Sequence, residues 1–225
     1  MHRTTMGVVW GTALVLTTIV LAFVGIRLAV DVPHLLGGSV PEEGLFEHRY
    51  VVHAWLAYAH ILPGVVYLLL APFQLARGFR NGNLGRHRRL GRVAIGAGVL
   101  SGAFAIVFGG LFSFGGTTQA LASVAFGTWF LLALGIAYRA IRRRDLRTHR
   151  RWMIRAFAVG VAVGTIRIWV GLLDGLGVMS FRDAFGPAFW ISFGMHAIAA
   201  ELWLLWRPDV SASGRVRTGP TQRPT

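Results

Sequence analysis

Four histidines are the side chains whose type and spacing could carry chemistry. His60 and His196 each lie about ten residues inside an apolar run, so a helical rise of about 1.5 Å per residue places both roughly 15 Å deep in a membrane. His87 and His149 each begin a later apolar run in a His-Arg-Arg motif, at a second shared level. Neutral imidazole is a common ligand of haem iron, zinc and copper. Haem needs only an axial pair, so two matched pairs suggest haem b. The alternatives are structural hydrogen bonding for His60 and His196, and interfacial contact with phosphate headgroups for His87 and His149.

Arg167 is the most unfavourably placed charge in the sequence. It lies about eight residues inside the fifth apolar run, too deep for its side chain to reach water easily, so it requires a negative partner. The candidates are a haem propionate, a small anionic ligand and Asp174, seven residues further along the same helix. The sequence does not decide whether Arg167 binds a ligand or forms a structural ion pair. Arg155 and Glu201 lie at a similar depth to each other, toward the inner side of the membrane. They are interpreted as a structural ion pair, with a proton or cation path as the alternative.

A polar stripe runs along the second apolar run, residues 50–76. His53, His60, Tyr67 and Gln74 recur at steps of seven, and a helix drifts by only about 20° per heptad. Such a stripe inside a membrane must face protein, water or a cofactor. We expect His53, near the interface, to be solvated, and the others to bond neighbouring helices or a ligand.

The third and fifth apolar runs each carry a face of small residues. In membranes such faces usually serve close helix–helix packing, while a flat ligand against a smooth wall is the alternative. The residues are Gly91, Ala94, Gly98, Gly102, Ala105 and Gly109 in one run, and Ala156, Gly160, Gly164 and Gly171 in the other.

Composition places the chain in the membrane class. It has 225 residues, 54% of them hydrophobic, and a mean hydropathy of +0.56. There is no cysteine, which excludes disulfides and thiolate metal sites. All 23 basic residues are arginine and the net charge is +14, but the position of these arginines argues against nucleic acid as the partner.

Six apolar runs are long enough to span a bilayer, which requires roughly 20 helical residues. They cover residues 7–29, 50–76, 93–115, 118–141, 152–175 and 186–206. If the runs alternate in direction, all but four of the arginines fall on one side and most acidic residues on the other. The excess of arginine indicates the cytoplasmic side. We therefore predict an all-α six-helix domain over residues 1–206 in the cell inner (plasma) membrane, with both termini cytoplasmic.

Partners and flanking segments follow from the same charge pattern. The arginine-rich loops are expected to contact anionic lipid headgroups. Residues 207–225 are rich in Pro, Gly, Ser, Thr and Arg and are predicted to be a disordered cytoplasmic tail. Because the first and fourth runs hold almost no ionisable residue, we expect them to face lipid and the other four runs to form the inner bundle.

The chain resembles the bacterial membrane family catalogued as domain of unknown function 2306, over about residues 50–206. The likeness rests on the stretches 60–64, 74–80, 86–92 and 149–155, with Arg167 and Glu201. The resemblance implies a membrane topology but no mechanism. The layout of histidines at two levels is also similar in architecture to di-haem cytochromes of the b561 kind.

The leading hypothesis from the sequence is a membrane protein that binds b-type haem and passes electrons across the bilayer to a redox partner. In it, His60 and His196 ligate one haem, His87 and His149 the other, and Arg167 neutralises a propionate. One alternative is a transporter or channel for a small anion that uses Arg167. Another is a non-catalytic membrane component that binds a partner or lipid, whose interior would be packed and fully paired.

Overall fold

The computed structural model describes residues 2–206, and side chains there except those of residues 2–6, 77 and 80. Met1 and the predicted disordered tail, 207–225, lie outside the described residues. Within them the chain forms eight α-helices and no strand. The helices are α1 (His2–Gly37), α2 (His48–Val52), α3 (Ala54–Leu75), α4 (Arg77–Gly82), α5 (Leu84–Leu111), α6 (Gly116–Arg142), α7 (Leu146–Gly175) and α8 (Phe185–Trp206).

Six of these helices, all except α2 and α4, are long and apolar enough to cross a membrane. The prediction of an all-α multi-pass membrane protein with six spans is confirmed. Helices α5 and α7 begin well before their apolar runs, which are predicted to begin at residues 93 and 152, and a polar side chain caps the start of each. The Asn83 side chain accepts a 2.8 Å bond from Arg86 N at the start of α5, and Asp145 accepts a 2.9 Å bond from Thr148 N at the start of α7.

The second apolar run is not one continuous helix. The backbone leaves helical geometry at His53 (φ −113°, ψ 39°), which separates the short α2 from α3. By contrast, α3 continues through Pro63 and Pro72. Helix α2 packs against α1 and α3.

The packing order corrects the expectation for the fourth run. Helix α6 is central: it packs against α5, α7 and α8, and its Ala122, Ala133, Leu134 and Ala137 are fully buried. Helix α1 is peripheral, as expected, and packs mainly on α7. An apolar span can be inside as well as outside a membrane bundle, because lipid and protein interior are similarly apolar. The absence of charge in α6 therefore did not indicate its position.

The two ends of the bundle differ in charge. The end formed by residues 38–53, 112–115 and 176–184 carries Glu42, Glu43, Glu47 and Asp183, and is called the acidic end below. The opposite end, formed by residues 76–92 and 139–151, is called the arginine-rich end. The assignment of this end to the cytoplasm remains a prediction.

Candidate functional site

A cavity of about 490 Å³ lies inside the half of the bundle nearer the acidic end. The α3–α5 pair forms one side and α7 with α8 the other, while α6 and α1 complete the wall. Its lining is dominated by Phe, Val, Ile and Gly residues. Tyr67 and Phe130, whose rings meet edge to face, close it toward the arginine-rich end. The volume and apolar lining are typical of a site for a small organic ligand.

Arg167 reaches this cavity from α7. Its guanidinium carbon lies 5.1 Å from the centre of the Phe23 ring on α1. Asp174 is exposed, and no ion pair joins Arg167 to a carboxylate among residues 2–206. The structural alternative of an Arg167–Asp174 pair is therefore wrong. The charge faces an apolar cavity without a counter-ion from the described part of the chain.

Arg49, on α2, supplies a second such charge to the cavity. Its guanidinium lies over the rings of Phe46 and Tyr50, at 4.8 and 5.0 Å from their centres. It donates a 2.8 Å hydrogen bond to the carbonyl oxygen of Phe112, while its buried Nε has no partner in the described chain. Burial lowers the pKa of Arg49, and the nearby positive charge of Arg167 lowers it further. An anion in the cavity would favour the charged form of Arg49 and so offset both causes of the lowered pKa.

Arg27 also lines the cavity, but its charge is neutralised. It forms a salt bridge to the fully buried Asp31, one turn further along α1, with an Nη2–Oδ1 distance of 2.6 Å. Asp31 also accepts a 2.8 Å hydrogen bond from the Tyr58 hydroxyl of α3, and Glu47 lies 4.0 Å from Arg27. This cluster connects α1 to α3 and leaves Arg49 and Arg167 as the cavity's uncompensated cations.

A group of four phenylalanine rings, called the aromatic cap below, covers the cavity at the acidic end. It consists of Phe46, Phe114, Phe181 and Phe185. The Phe46 ring lies 5.2 Å from Phe114 and 5.3 Å from Phe185, and Phe181 lies 5.2 Å from Phe185. Phe185 is 1% exposed. Arg49 is held between this cap and the cavity.

Of the four histidines singled out above, only His60 lines the cavity. Its Nδ1 lies 3.0 Å from the carbonyl oxygen of Ser101 on α5, and the Ser101 hydroxyl in turn donates a 2.9 Å bond to the His60 carbonyl oxygen. These bonds join α3 to α5. They also direct the other ring nitrogen of His60 away from Ser101.

The other three histidines are placed elsewhere. His196 is hydrogen-bonded through Nε2 to Thr165 Oγ1 of α7 at 2.8 Å, and α8 makes no contact with α3. His149 is bonded through Nδ1 to the carbonyl oxygen of Ala137 at 2.9 Å. Helices α5 and α7, which carry His87 and His149, are separated by α6. Neither predicted pair lies together in the cavity described above, and residues 2–206 contain no group of three or more His, Asp or Glu able to hold a metal ion.

The small-residue faces accommodate protein side chains. A Cβ built on Gly98 of α5 or on Gly160 of α7 would lie 2.9 Å from the Tyr67 ring, so this ring is held between two glycines. A Cβ on Gly91 would lie 3.1 Å from Gln74 Oε1. The packing interpretation therefore accounts for these positions. His53 is stacked on Phe112, with 3.7 Å between ring centres, rather than simply solvated.

Arg155 and Glu201 form a bidentate ion pair between α7 and α8. The Arg155 Nη2–Glu201 Oε2 distance is 2.8 Å, and Nε donates to the other carboxylate oxygen. The pair lies toward the arginine-rich end and does not line the cavity. It is a link between two helices, remote from the uncompensated arginines.

The sequence interpretation missed Arg27, Asp31 and Arg49, although the charge pattern contained a signal for them. Apart from Arg155, which lies close to the arginine-rich end, and the arginines near the termini, four arginines lie outside that end, namely Arg27, Arg49, Arg167 and Arg182, and the first three line the cavity. An arginine on the side opposite to most others does not serve to fix the topology, so its presence needs another explanation. Arg27 and Asp31 also have the i,i+4 spacing of a helical ion pair.

Comparison with known proteins gives a family but no activity. A family model with the description "Predicted membrane protein (DUF2306)" matches residues 57–204. No curated protein and no solved structure matches the chain, so the architectural likeness to b561-type cytochromes remains a hypothesis. The matched segment runs from the start of α3 nearly to the end of α8 and includes His60, Arg167 and the Arg155–Glu201 pair. Because the match covers well over half of its length, the chain belongs to this membrane-protein family.

Proposed function

We propose that the protein binds an organic anion inside the membrane, with its acidic group at Arg167 and Arg49 and its apolar part in the cavity. One observation carries this proposal. Two guanidinium groups face a largely apolar cavity of about 490 Å³, and no carboxylate of residues 2–206 pairs with either. This function develops the small-anion alternative drawn from the sequence.

The physical argument is that an uncompensated charge within a membrane is unfavourable. A bound carboxylate or phosphate would supply the missing counter-charge and hydrogen-bond acceptors. Guanidinium groups suit such oxygen anions because their donors form a planar fork. Arg27 differs, since Asp31 already occupies its donors. The cavity thus combines a cationic region with an apolar one, which matches a molecule that has both characters.

Calorimetric titration of the detergent-purified protein with laurate, and with dodecanol as its neutral analogue, tests this function. We expect laurate to bind and dodecanol to bind much more weakly. Arg167→Gln and Arg49→Gln should each weaken laurate binding roughly tenfold to a hundredfold, the usual effect of losing a hydrogen bond to a charged group. Arg89→Gln, an exposed arginine at the arginine-rich end, is the matched control and should leave the affinity unchanged. Equal affinities for laurate and dodecanol, or wild-type affinity in both cavity variants, would contradict the proposal.

A second candidate, haem binding, is favoured by the orientation of His60. Metal-binding histidines usually have their second ring nitrogen bonded to a carbonyl or carboxylate, and Nδ1 of His60 is bonded to Ser101 O. Haem is itself a large apolar group with two carboxylates. In this version the site uses His60 as the only protein ligand from the cavity and Arg167 as a propionate partner, without His196, His87 or His149.

Absorption spectra distinguish the two candidates. Protein purified from cells supplied with haem would show a Soret band and, after reduction with dithionite, a b-type α-band, both lost in His60→Ala. A featureless visible spectrum from such cells would remove haem and electron transfer, and would leave the anion site unaffected.

A further inference from the structure

Building on the proposed function, we infer that the anion is a single-chain amphiphile that enters from the lipid bilayer through an opening beside α1. Its acidic head lies at Arg167 and Arg49, and its tail extends past Phe23 and Ile26. The inference concerns the class of ligand and its route, which the anion site alone does not specify.

The opening is indicated by two α1 residues that line the cavity and are nevertheless exposed. Phe23 and Ile26 line the cavity, and they are 42% and 57% exposed on a helix at the periphery of the bundle. Both lie in the apolar middle of a membrane-length helix. The cavity wall is therefore incomplete at a depth where lipid chains, rather than water, surround the protein.

Helix α1 is fixed on either side of this stretch. Toward the arginine-rich end, Leu16 packs so closely on α7 that a Cβ on Gly164 would lie 2.6 Å from the Leu16 carbonyl oxygen. Toward the acidic end, Asp31 is bonded to Tyr58 of α3. The residues between these two attachments line the cavity, and the opening lies in this segment.

The two ends of the cavity differ in how far they are closed to water. At the acidic end, Phe185 of the aromatic cap is 1% exposed, but Phe181 lines the cavity and is 44% exposed, so this end is the competing route from water. Toward the other end, Tyr67, Ala71 and Leu134 are at most 2% exposed. A molecule that reaches Arg167 from the bilayer needs an apolar tail to dissolve there and an acidic head to bind the guanidinium, which is the chemistry of a fatty-acid-like anion.

Because the chain has no cysteine, single-cysteine variants can report on the opening. Ile26→Cys is placed at the opening, and Val15→Cys is the matched control on the same helix, since Val15 is also 57% exposed but does not line the cavity. Both are alkylated with a lipid-soluble maleimide in nanodiscs. Laurate at ten times its Kd leaves about one eleventh of the sites free, so alkylation at position 26 should slow roughly tenfold. Alkylation at position 15 should not change.

The route is tested by obstruction. Ile26→Trp should slow the association of radiolabelled laurate from vesicles, whereas Val15→Trp should not. Butyrate and inorganic phosphate, which lack a long tail, should neither protect position 26 nor displace laurate.

The outcomes separate the two proposals. If laurate binds but neither protects position 26 nor is slowed by Ile26→Trp, lateral entry is overturned and the anion site stands. If butyrate or phosphate competes as well as laurate, the ligand is a water-soluble anion and the amphiphile assignment is overturned. If laurate does not bind at all, the proposed function itself fails.

Discussion

At the scale of single residues, the neighbours of each arginine determine what it can do. Arg27 and Arg167 are on different helices but face the same cavity. Arg27 has a buried carboxylate four residues away, so its side chain is 11% exposed and its donors are satisfied. Among the described residues, the close partner of Arg167 is an aromatic ring, that of Phe23. The same residue type therefore stabilises the fold in one place and offers a binding charge in the other.

The buried Arg27–Asp31 pair yields a stability prediction. Asp31→Asn removes the carboxylate that is hydrogen-bonded to Arg27 and leaves the largely buried guanidinium with only the longer, 4.0 Å contact to Glu47. Breaking a buried ion pair from one side typically destabilises by roughly 3–5 kcal/mol. We expect a clear decrease in the melting temperature of the detergent-purified protein. Asp174→Asn, at an exposed carboxylate, is the control, and equal shifts in the two variants would show that the pair is not structural.

At the scale of helices, α3 and α5 share a seven-residue register. Gln74 lies against Gly91, Tyr67 against Gly98 and His53 against Phe112. The helices are antiparallel, so these three levels are related by steps of seven along both. At the intermediate level, His60 departs from this register and bonds Ser101, one turn nearer Gly98 than a step of seven would give. Large polar groups on α3 meet small residues on α5 at two of these levels, which lets the helix axes approach closely.

This register predicts opposite effects at two glycines of the same helix. Gly98→Ala places a Cβ 2.9 Å from both the Tyr67 ring and a Leu134 methyl group, whereas Gly96→Ala meets nothing within 4 Å. Overpacking typically destabilises by about 1–3 kcal/mol, while alanine for glycine in an open helical position stabilises by up to about 1 kcal/mol. Thermal melting should therefore separate the variants in opposite directions. A stabilised Gly98→Ala protein would contradict the packing around Tyr67.

The positions of the helices along the chain could be predicted from the sequence, but their arrangement side by side could not. Hydropathy located all six spans, and the heptad spacing identified the polar face of α3. The break at His53 was missed because both sides of it are apolar. The histidine pairs were matched by depth, but depth does not determine which helices are neighbours, and α6 separates α5 from α7. Which side chains line the cavity depends on that lateral order. Arg167 was identified from its depth within a single helix, whereas Arg49 becomes a candidate only once the neighbouring helices are known.

At the scale of the whole molecule, charge is divided between the two ends, and the cavity lies nearer the acidic one. All but four arginines belong to the arginine-rich end, lie close to it as Arg155 does, or belong to the segments next to the termini. Three of the four exceptions converge on the cavity. The arginines thus fall into two groups, one suited to fixing orientation in the bilayer and one suited to binding.

The predicted orientation can be measured because the chain lacks cysteine. Leu36→Cys, at an 85% exposed position of the acidic end, and Leu84→Cys, at a 55% exposed position of the arginine-rich end, are treated in intact cells with a membrane-impermeant maleimide. We expect reaction at position 36 only, with both positions reacting after the membrane is permeabilised. Labelling of position 84 in intact cells would reverse the topology, and would also place the cavity nearer the cytoplasm.

The packing of the Tyr67 ring between two glycines has a consequence for how sequences can vary within the family. Gly98 and Gly160 lie on different helices and share no neighbour in the sequence, yet both are small on account of the same ring. In a relative that has a small side chain at position 67, Gly160 loses its closest contact and can enlarge, whereas Gly98 can enlarge only where Leu134 is also replaced by a smaller residue. Substitutions at 67, 98, 134 and 160 should therefore be correlated across the family, and so should those at 74 and 91.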